Sequence, residues 1–168
     1  MNILEQFAPI RTFAFDVDGV LTDGNLLLTE EGNMLRSMSI KDGYAMQLAI
    51  KKGYNIWIIS GGKSEAVRKR LNALGVNEVH IGIDSKKEFF YAITLANKTS
   101  LDSVLYMGDD IPDYAVMQLC GLPCCPADAA PEIKQISKYI SPYKGGNGCV
   151  RDVIEKVLKL NGDWELPS

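Results

Sequence analysis

Phe13-Ala14-Phe15-Asp16-Val17-Asp18-Gly19-Val20-Leu21-Thr22-Asp23-Gly24 is the stretch on which the reading of this chain turns. Phe13 to Phe15 form a short apolar run, which predicts a buried strand. Asp16, Val17 and Asp18 then alternate, so that the two acids face one way and Val17 the other. Gly19 lets the chain turn sharply straight after them. Two acids at the carboxyl end of an apolar strand repel each other and resist desolvation unless a cation or a proton holds them there. The pattern therefore suggests a metal site, or a nucleophile beside an acid. The plain alternative is a strand end with two solvated aspartates.

The units on either side decide between these. Asn55 to Ile59 is a second apolar segment, followed by Ser60-Gly61-Gly62 and by Val67, Leu71 and Leu74 at helical spacing. Glu78 to Ile81 leads to Lys86 and a predicted helix with Phe89, Ile93 and Ala96 on one face. Val104 to Met107 runs into Gly108-Asp109-Asp110, with a helix expected from about Pro112, since proline suits a first turn. Leu122 to Cys125 gives a short strand, Pro131 to about Lys138 a helix, and Tyr139-Ile140 a last strand. Val150, Val153, Ile154, Val157 and Leu158 mark an amphipathic final helix. Strands alternating with helices predict an α/β fold, a doubly wound parallel sheet with helices on both faces. Ligands of such sheets gather beyond the carboxyl ends of the strands, where Asp16, Asp18, Ser60, Lys86, Asp109 and Asp110 would all lie.

One segment interrupts the alternation. Residues 25–40 read as an inserted hairpin, with Leu26-Leu27-Leu28 on one arm, Met34 to Ile40 on the other, and a turn around Gly32. Its arms are more apolar than a free-standing hairpin tolerates in water, which points to packing against another subunit or back on its own core. Asp42 is expected to cap the helix through Leu48. Gly145-Gly146-Asn147-Gly148 reads as a flexible turn, and the tail with Trp164, Leu166 and Pro167 invites docking on a neighbouring subunit.

The 168 residues, 46% of them hydrophobic, suit one domain over 1–168, with no stretch left to form a separate cap domain. With 18 basic and 21 acidic residues the net charge is -3, so no basic field draws nucleic acid or an anionic membrane. No run approaches a membrane span, and Met1 to Ile10 lacks the look of a signal peptide; a cytoplasmic protein is expected. Cys120, Cys124, Cys125 and Cys149 fit neither a disulfide framework nor a zinc site, and are expected to be reduced, partly buried small residues. His80, the single histidine, sits between Val79 and Ile81 on a predicted strand, which argues against histidine-based catalysis.

Phosphoryl transfer asks for an oxygen nucleophile, a divalent cation, a proton donor for the leaving oxygen, and donors around the transferred oxygens. Asp16 is the candidate nucleophile and Asp18 the candidate acid and base. Asp109, with Asp110, would complete an oxygen-rich Mg2+ shell. Ser60 and Lys86 would donate to the phosphoryl oxygens; a lysine at a helix start is electrostatically unfavourable without an anionic partner.

These motifs resemble the haloacid dehalogenase superfamily of aspartate-nucleophile phosphatases. Its four motifs occur in order as Asp16-Val17-Asp18-Gly19, Ser60 after an apolar strand, Lys86 before a helix, and Gly108-Asp109-Asp110 with Asp113. The match covers about residues 11–160. The resemblance implies that Asp16, Asp109 and the main-chain carbonyl of Asp18 bind Mg2+, with Asp110 and Asp113 behind them. Within the superfamily the chain is similar to the capless phosphatases of 3-deoxy-D-manno-octulosonate 8-phosphate, which act in lipopolysaccharide precursor synthesis. Lys41-Asp42-Gly43-Tyr44, Gly108-Asp-Asp-Ile-Pro-Asp113 and Gly145-Gly-Asn-Gly148 carry that likeness. It implies a homotetramer whose hairpins meet at the centre, and substrate contacts from Asp18, Ser39, Ile40, Lys41, Asp42, Gly43, Arg70 and Lys86. Apart from that likeness, Arg70 belongs with Arg68 and Lys69 on a solvated helical face. Gly62 and Gln47 stand where such phosphatases often have basic residues, and a nine-carbon keto acid 9-phosphate is the alternative substrate. A phospho-accepting receiver or assembly domain without turnover is the alternative from another class.

Overall fold

The computed structural model describes residues 2–168. Its strands are β1 (Thr12–Phe15), β2 (Leu27–Leu28), β3 (Met34–Leu35), β4 (Asn55–Ile59), β5 (Glu78–His80), β6 (Val104–Met107), β7 (Leu122–Cys125) and β8 (Tyr139–Ile140). Its helices are α1 (Ile3–Phe7), α2 (Ile40–Lys51), α3 (Glu65–Ala73), α4 (Lys86–Ala96), α5 (Tyr114–Met117), α6 (Pro131–Ile136) and α7 (Cys149–Leu160). Six strands form one sheet in the order β5-β4-β1-β6-β7-β8, and every pairing in it is parallel. The chain therefore starts in the middle, winds outward through β4 to β5, and returns to the other side of β1 at β6. Strand order reverses at β1, and a doubly wound sheet opens its crevice at such a point. The expected Rossmann-like fold is the one observed.

Burial alternates along the strands even though nearly all of their residues are covered. Phe13, Phe15, Ile56, Ile58, Leu105 and Met107 face α2, α3 and α7 across one apolar cluster. Ala14, Trp57, Ile59, Val104 and Tyr106 face the opposite way, toward α4, α5 and α6. Each fully buried phenylalanine contributes roughly 2–3 kcal/mol by leaving water, so the two faces together fix β1 in register.

Several local expectations need correction. The buried stripe of α4 is Lys86, Phe90, Ile93 and Thr94; Ala96 is exposed and Phe89 only half-buried. The stripe is phased by Lys86, which must point inward to reach its acids. Ile111–Asp113 is one tight turn before the short α5. Helix α2 begins at Ile40 and is capped by Ser39, whose Oγ accepts from the Asp42 N–H at 3.4 Å. Asp42 caps a different helix: its Oδ1 accepts from the Arg151 N–H of α7 at 2.9 Å. Gly148 ahead of α7 has no side chain to do so. The Gly145–Gly148 segment is tied down, with Gly145 N–H donating to Asp128 Oδ1 at 3.0 Å and Gly146 N–H to Val20 O at 3.0 Å. The tail lies on its own chain, where Trp164 meets the Tyr44 ring edge-on and Glu165 pairs with Lys52 at 2.7 Å. All four cysteines are free and buried, more fully than expected, and burial pushes the Cys120 thiol up to about 12.

The hairpin is smaller than its apolar pattern implies, with two residues in each arm and a turn closed by Gly32 N–H to Thr29 O at 3.0 Å. It does not fold back on its own core. Leu27 and Leu28 are each 68% exposed, and Met34 and Leu35 are exposed as well.

Candidate active site

Asp16 is the first residue past β1. Its N–H is held by Met107 O at 3.2 Å, and its Oδ1 accepts from the Val17 N–H at 2.8 Å. The chain then makes a wide turn closed by Thr22 N–H to Val17 O at 3.1 Å. Gly19 carries this turn at φ +87, and a Cβ there would lie 1.7 Å from Asp109 Oδ2. Only glycine combines that backbone with that approach, so the first motif can press against the acid that follows β6.

Lys86 opens α4 and points into the same place, with Nζ 2.9 Å from Asp16 Oδ1 and 2.8 Å from Asp113 Oδ1. Two acids compensate the misplaced cation at the helix start. Asp113, 1% exposed, also accepts from Tyr106 Oη at 2.9 Å and from the Asp109 N–H at 3.1 Å. Asp16, Asp109 and Asp113 can bring one oxygen each within 4.8 Å of one another. Burial, then the neighbouring Asp113, drives the Asp16 carboxyl well above the ordinary range and the Asp109 carboxyl up to about 7. Burial works against the Lys86 charge, but Asp16 and Asp113 outweigh it and raise its pKa. Two buried acids and the half-buried Asp109 against one ammonium leave an excess of negative charge among hard oxygen donors. Mg2+ fits that combination.

Ser60 follows β4 directly and is buried, its Oγ accepting from the Gly62 N–H at 3.1 Å. Asp18 is not free. Its Oδ1 accepts from Arg36 Nε at 2.7 Å and its Oδ2 from Nη2 at 3.2 Å, a two-pronged ion pair reaching down from the hairpin. Asp110 turns outward and caps the next turn, accepting from the Ile111 N–H at 2.8 Å. Asp16, Asp18, Ser60, Lys86, Asp109 and Asp110 line one open pocket of about 280 Å³, with Asp113 at its floor.

The expected substrate-contact residues other than Asp18 and Lys86 do not line that pocket. Ser39 and Lys41 border a separate hollow of about 590 Å³ together with Tyr143, Asn147 and Arg151. Ile40 is 79% exposed, Asp42 is buried at the start of α7, and Gly43 sits against the Arg70 guanidinium. Reasoning from sequence missed two residues that hold acids of the pocket, Tyr106 on Asp113 and Arg36 on Asp18. Tyr106 is hidden as one hydroxyl in an apolar strand. Arg36 carried only the weak signal of a cation on an arm of the inserted hairpin.

No protein-family model matches the chain. A Yersinia pestis protein named 3-deoxy-D-manno-octulosonate 8-phosphate phosphatase KdsC is 31% identical over 165 residues, covering 96% of this chain and 88% of that one. The chain belongs to the 3-deoxy-D-manno-octulosonate 8-phosphate phosphatase family. A family structure from Moraxella catarrhalis, solved with magnesium, phosphate and 3-deoxy-D-manno-octulosonate (KDO), superposes with a TM-score of 0.90 at 32% identity, covering 94% of this chain and 91% of that one. A Legionella pneumophila structure described as a HAD superfamily (subfamily III A) hydrolase superposes at 0.92 with 29% identity, covering 95% and 88%. The haloacid dehalogenase resemblance is thereby borne out. As the family's capless character implies, the described residues leave only the hairpin as an insertion in the sheet framework.

Proposed function

We propose that this chain is a Mg2+-dependent phosphomonoesterase that hydrolyses 3-deoxy-D-manno-octulosonate 8-phosphate to the free sugar acid and phosphate, in lipopolysaccharide precursor synthesis. The carrying observation is the constellation of Asp16, Lys86, Asp113 and Asp109, packed together at the point where strand order reverses. Asp16, Asp109 and the main-chain carbonyl of Asp18 would hold Mg2+, which would supply positive charge beside the phosphoryl oxygens. Asp113 has its carboxylate committed to Lys86, Tyr106 and the Asp109 N–H, and so holds Lys86 and Asp109 in place.

An Asp16 carboxylate oxygen attacks phosphorus, and the bond from phosphorus to the sugar oxygen breaks. Asp18 gives its proton to that leaving oxygen. Asp18 then takes a proton from a water whose oxygen attacks the aspartyl-phosphate, releasing phosphate and restoring the Asp16 carboxylate. Lys86 and Ser60 donate to the phosphoryl oxygens throughout. We assign the whole chain to one hydrolase domain acting in the cytoplasm, consistent with four free thiols. The exposed leucines of the hairpin support a homotetramer joined there. In that assembly Ser39 to Gly43 and Arg70 border the sugar acid.

Phosphate release with Mg2+ from eight- and nine-carbon keto acid phosphates, set beside hexose phosphates, tests this. A strong preference for the eight-carbon acid is expected. Preference for the nine-carbon acid would overturn the substrate, and no turnover of any member would overturn the activity.

A further inference from the structure

We infer that Arg36 is the residue that recognises the carboxylate of the substrate, held on Asp18 until that carboxylate arrives. The assignment takes its substrate class from the proposed phosphatase function.

Arg36 leaves the hairpin just after β3, yet its side chain is only 9% exposed while that of Asp18 is 37% exposed. A desolvated guanidinium needs its donors used. Asp18 takes Nε and Nη2, and Met34 O takes Nη1 at 3.3 Å, which leaves two of the five N–H groups for something else. Beside them the chain passes closely as Gly62, with no side chain of its own. A Cβ on Gly62 would stand 3.4 Å from Arg36 Nη2, 3.3 Å from Asp18 Oδ2 and 3.4 Å from Ser60 Oγ. Those approaches are tighter than ordinary contact, so the absence of a side chain at Gly62 is what lets the cation, the acid and the serine stand together at the edge of the catalytic pocket.

A phosphorylated keto acid brings two anions. Lys86 is committed to Asp16 and Asp113 and serves the phosphoryl end. Arg36 is the other cation bordering this part of the site among the described residues, and its planar fork matches a carboxylate two atoms to two. Exchange of the Asp18 carboxylate for the carboxylate of the substrate replaces one ion pair by another of the same kind. The exchange also releases Asp18 to face the leaving oxygen. Recognition of the acid end is thus coupled to the freeing of the group that protonates the sugar oxygen, and a phosphomonoester without a carboxylate leaves Asp18 held.

The test compares wild type, Arg36→Ala and Arg36→Lys in two assays. In the first, kcat and KM are measured with Mg2+ for 3-deoxy-D-manno-octulosonate 8-phosphate and for p-nitrophenyl phosphate, which has no carboxylate. Loss of a charged hydrogen-bonded contact predicts that Arg36→Ala lowers the ratio of the two kcat/KM values by about 10- to 100-fold, mostly through KM for the sugar acid phosphate. Arg36→Lys keeps the charge and loses the fork, gives an intermediate ratio, and carries the test if the alanine variant does not fold. In the second assay the free sugar acid, which has the carboxylate and no phosphate, is titrated calorimetrically into each protein. Its affinity is expected to fall by a similar factor in Arg36→Ala. Equal losses on both phosphate substrates would make Arg36 a mere positioner of Asp18 and overturn the inference, as would unchanged affinity for the free acid. A wild type that binds the free acid but hydrolyses neither substrate would overturn the phosphatase function, while the calorimetric comparison still judges Arg36.

Discussion

The acid pocket and the hairpin lie next to each other and are built on opposite terms. Every group of the pocket follows directly from a strand end or a helix start that the sheet already fixes: Asp16 after β1, Ser60 after β4, Lys86 at the head of α4, Asp109 after β6. Its side chains are held in place within the chain, by Lys86, Tyr106 and backbone N–H groups, and the negative charge left over suits Mg2+ and needs no second subunit. The hairpin has two residues per arm, exposed leucines, and one strong tie to the body, from Arg36 to Asp18. The first region is complete in one chain. The second makes physical sense only when something covers it.

The largest effect expected is on the pocket. Asp16→Asn keeps the shape of the side chain and removes the nucleophile, so turnover should fall by at least about a thousandfold. The circular dichroism spectrum should be retained. Activity near the wild-type level would show that the packed cluster is not where the chemistry happens. Lys86→Met cuts deeper into stability, because it leaves Asp16 and Asp113 buried without their cation. Loss of one partner of a buried ion pair costs about 3–5 kcal/mol, readable as a lower denaturant midpoint in Mg2+-free buffer. A loss below about 1 kcal/mol would mean that the acids are relaxed by water, and that the pocket is less self-contained than its distances imply.

The hairpin is tested by the opposite outcome. Leu27→Lys with Leu28→Lys removes apolar surface that the chain itself does not bury, so it should leave the melting temperature of the separated subunit within about 2 °C. Sedimentation velocity should show the assembly falling apart. Unchanged sedimentation would place the subunit contact elsewhere and leave the leucines unexplained.

The same contrast governs what could be read in the sequence. The pocket was legible because its residues are local to strong patterns. An apolar run ending in Asp-x-Asp-Gly locates Asp16, and a lysine at a helix start, unfavourable beside the positive end of the helix, asks for an anionic partner. The hairpin was legible as apolar and inserted, but not in its extent, since Met34 to Ile40 alternates like a strand while Ile40 already belongs to α2. Long-range side-chain pairings left no trace. Arg36 finds Asp18 through the path of the hairpin, and Asp42 finds Arg151 across 109 residues. The phase of α4 was misjudged by one position because Phe89 and Phe90 are equally apolar, and only the inward demand of Lys86 chooses between them.

Asp42 offers the smallest and most diagnostic effect. Burial raises its carboxyl from 3.8 to about 6, against the Arg151 N–H and the Arg151 charge that favour ionisation. An acid whose pKa rises on folding binds its proton more tightly in the folded state. Stability is therefore highest below the unfolded value, falls as the pH rises from about 4 to about 6, and carries the full cost above that window. The shift corresponds to about 3 kcal/mol at pH 7. Asp42→Asn keeps an oxygen for the Arg151 N–H and has no charge to bury. It should therefore be more stable than wild type at pH 7.5 by about 1–3 kcal/mol, a melting temperature higher by several degrees, with the gap closing toward pH 4. A gap that stays constant across that range would show that the carboxylate is no burden where it sits. In that case the N-terminal end of α7, with Arg151, would be compensating the Asp42 charge as fully as Lys86 compensates the charges of Asp16 and Asp113.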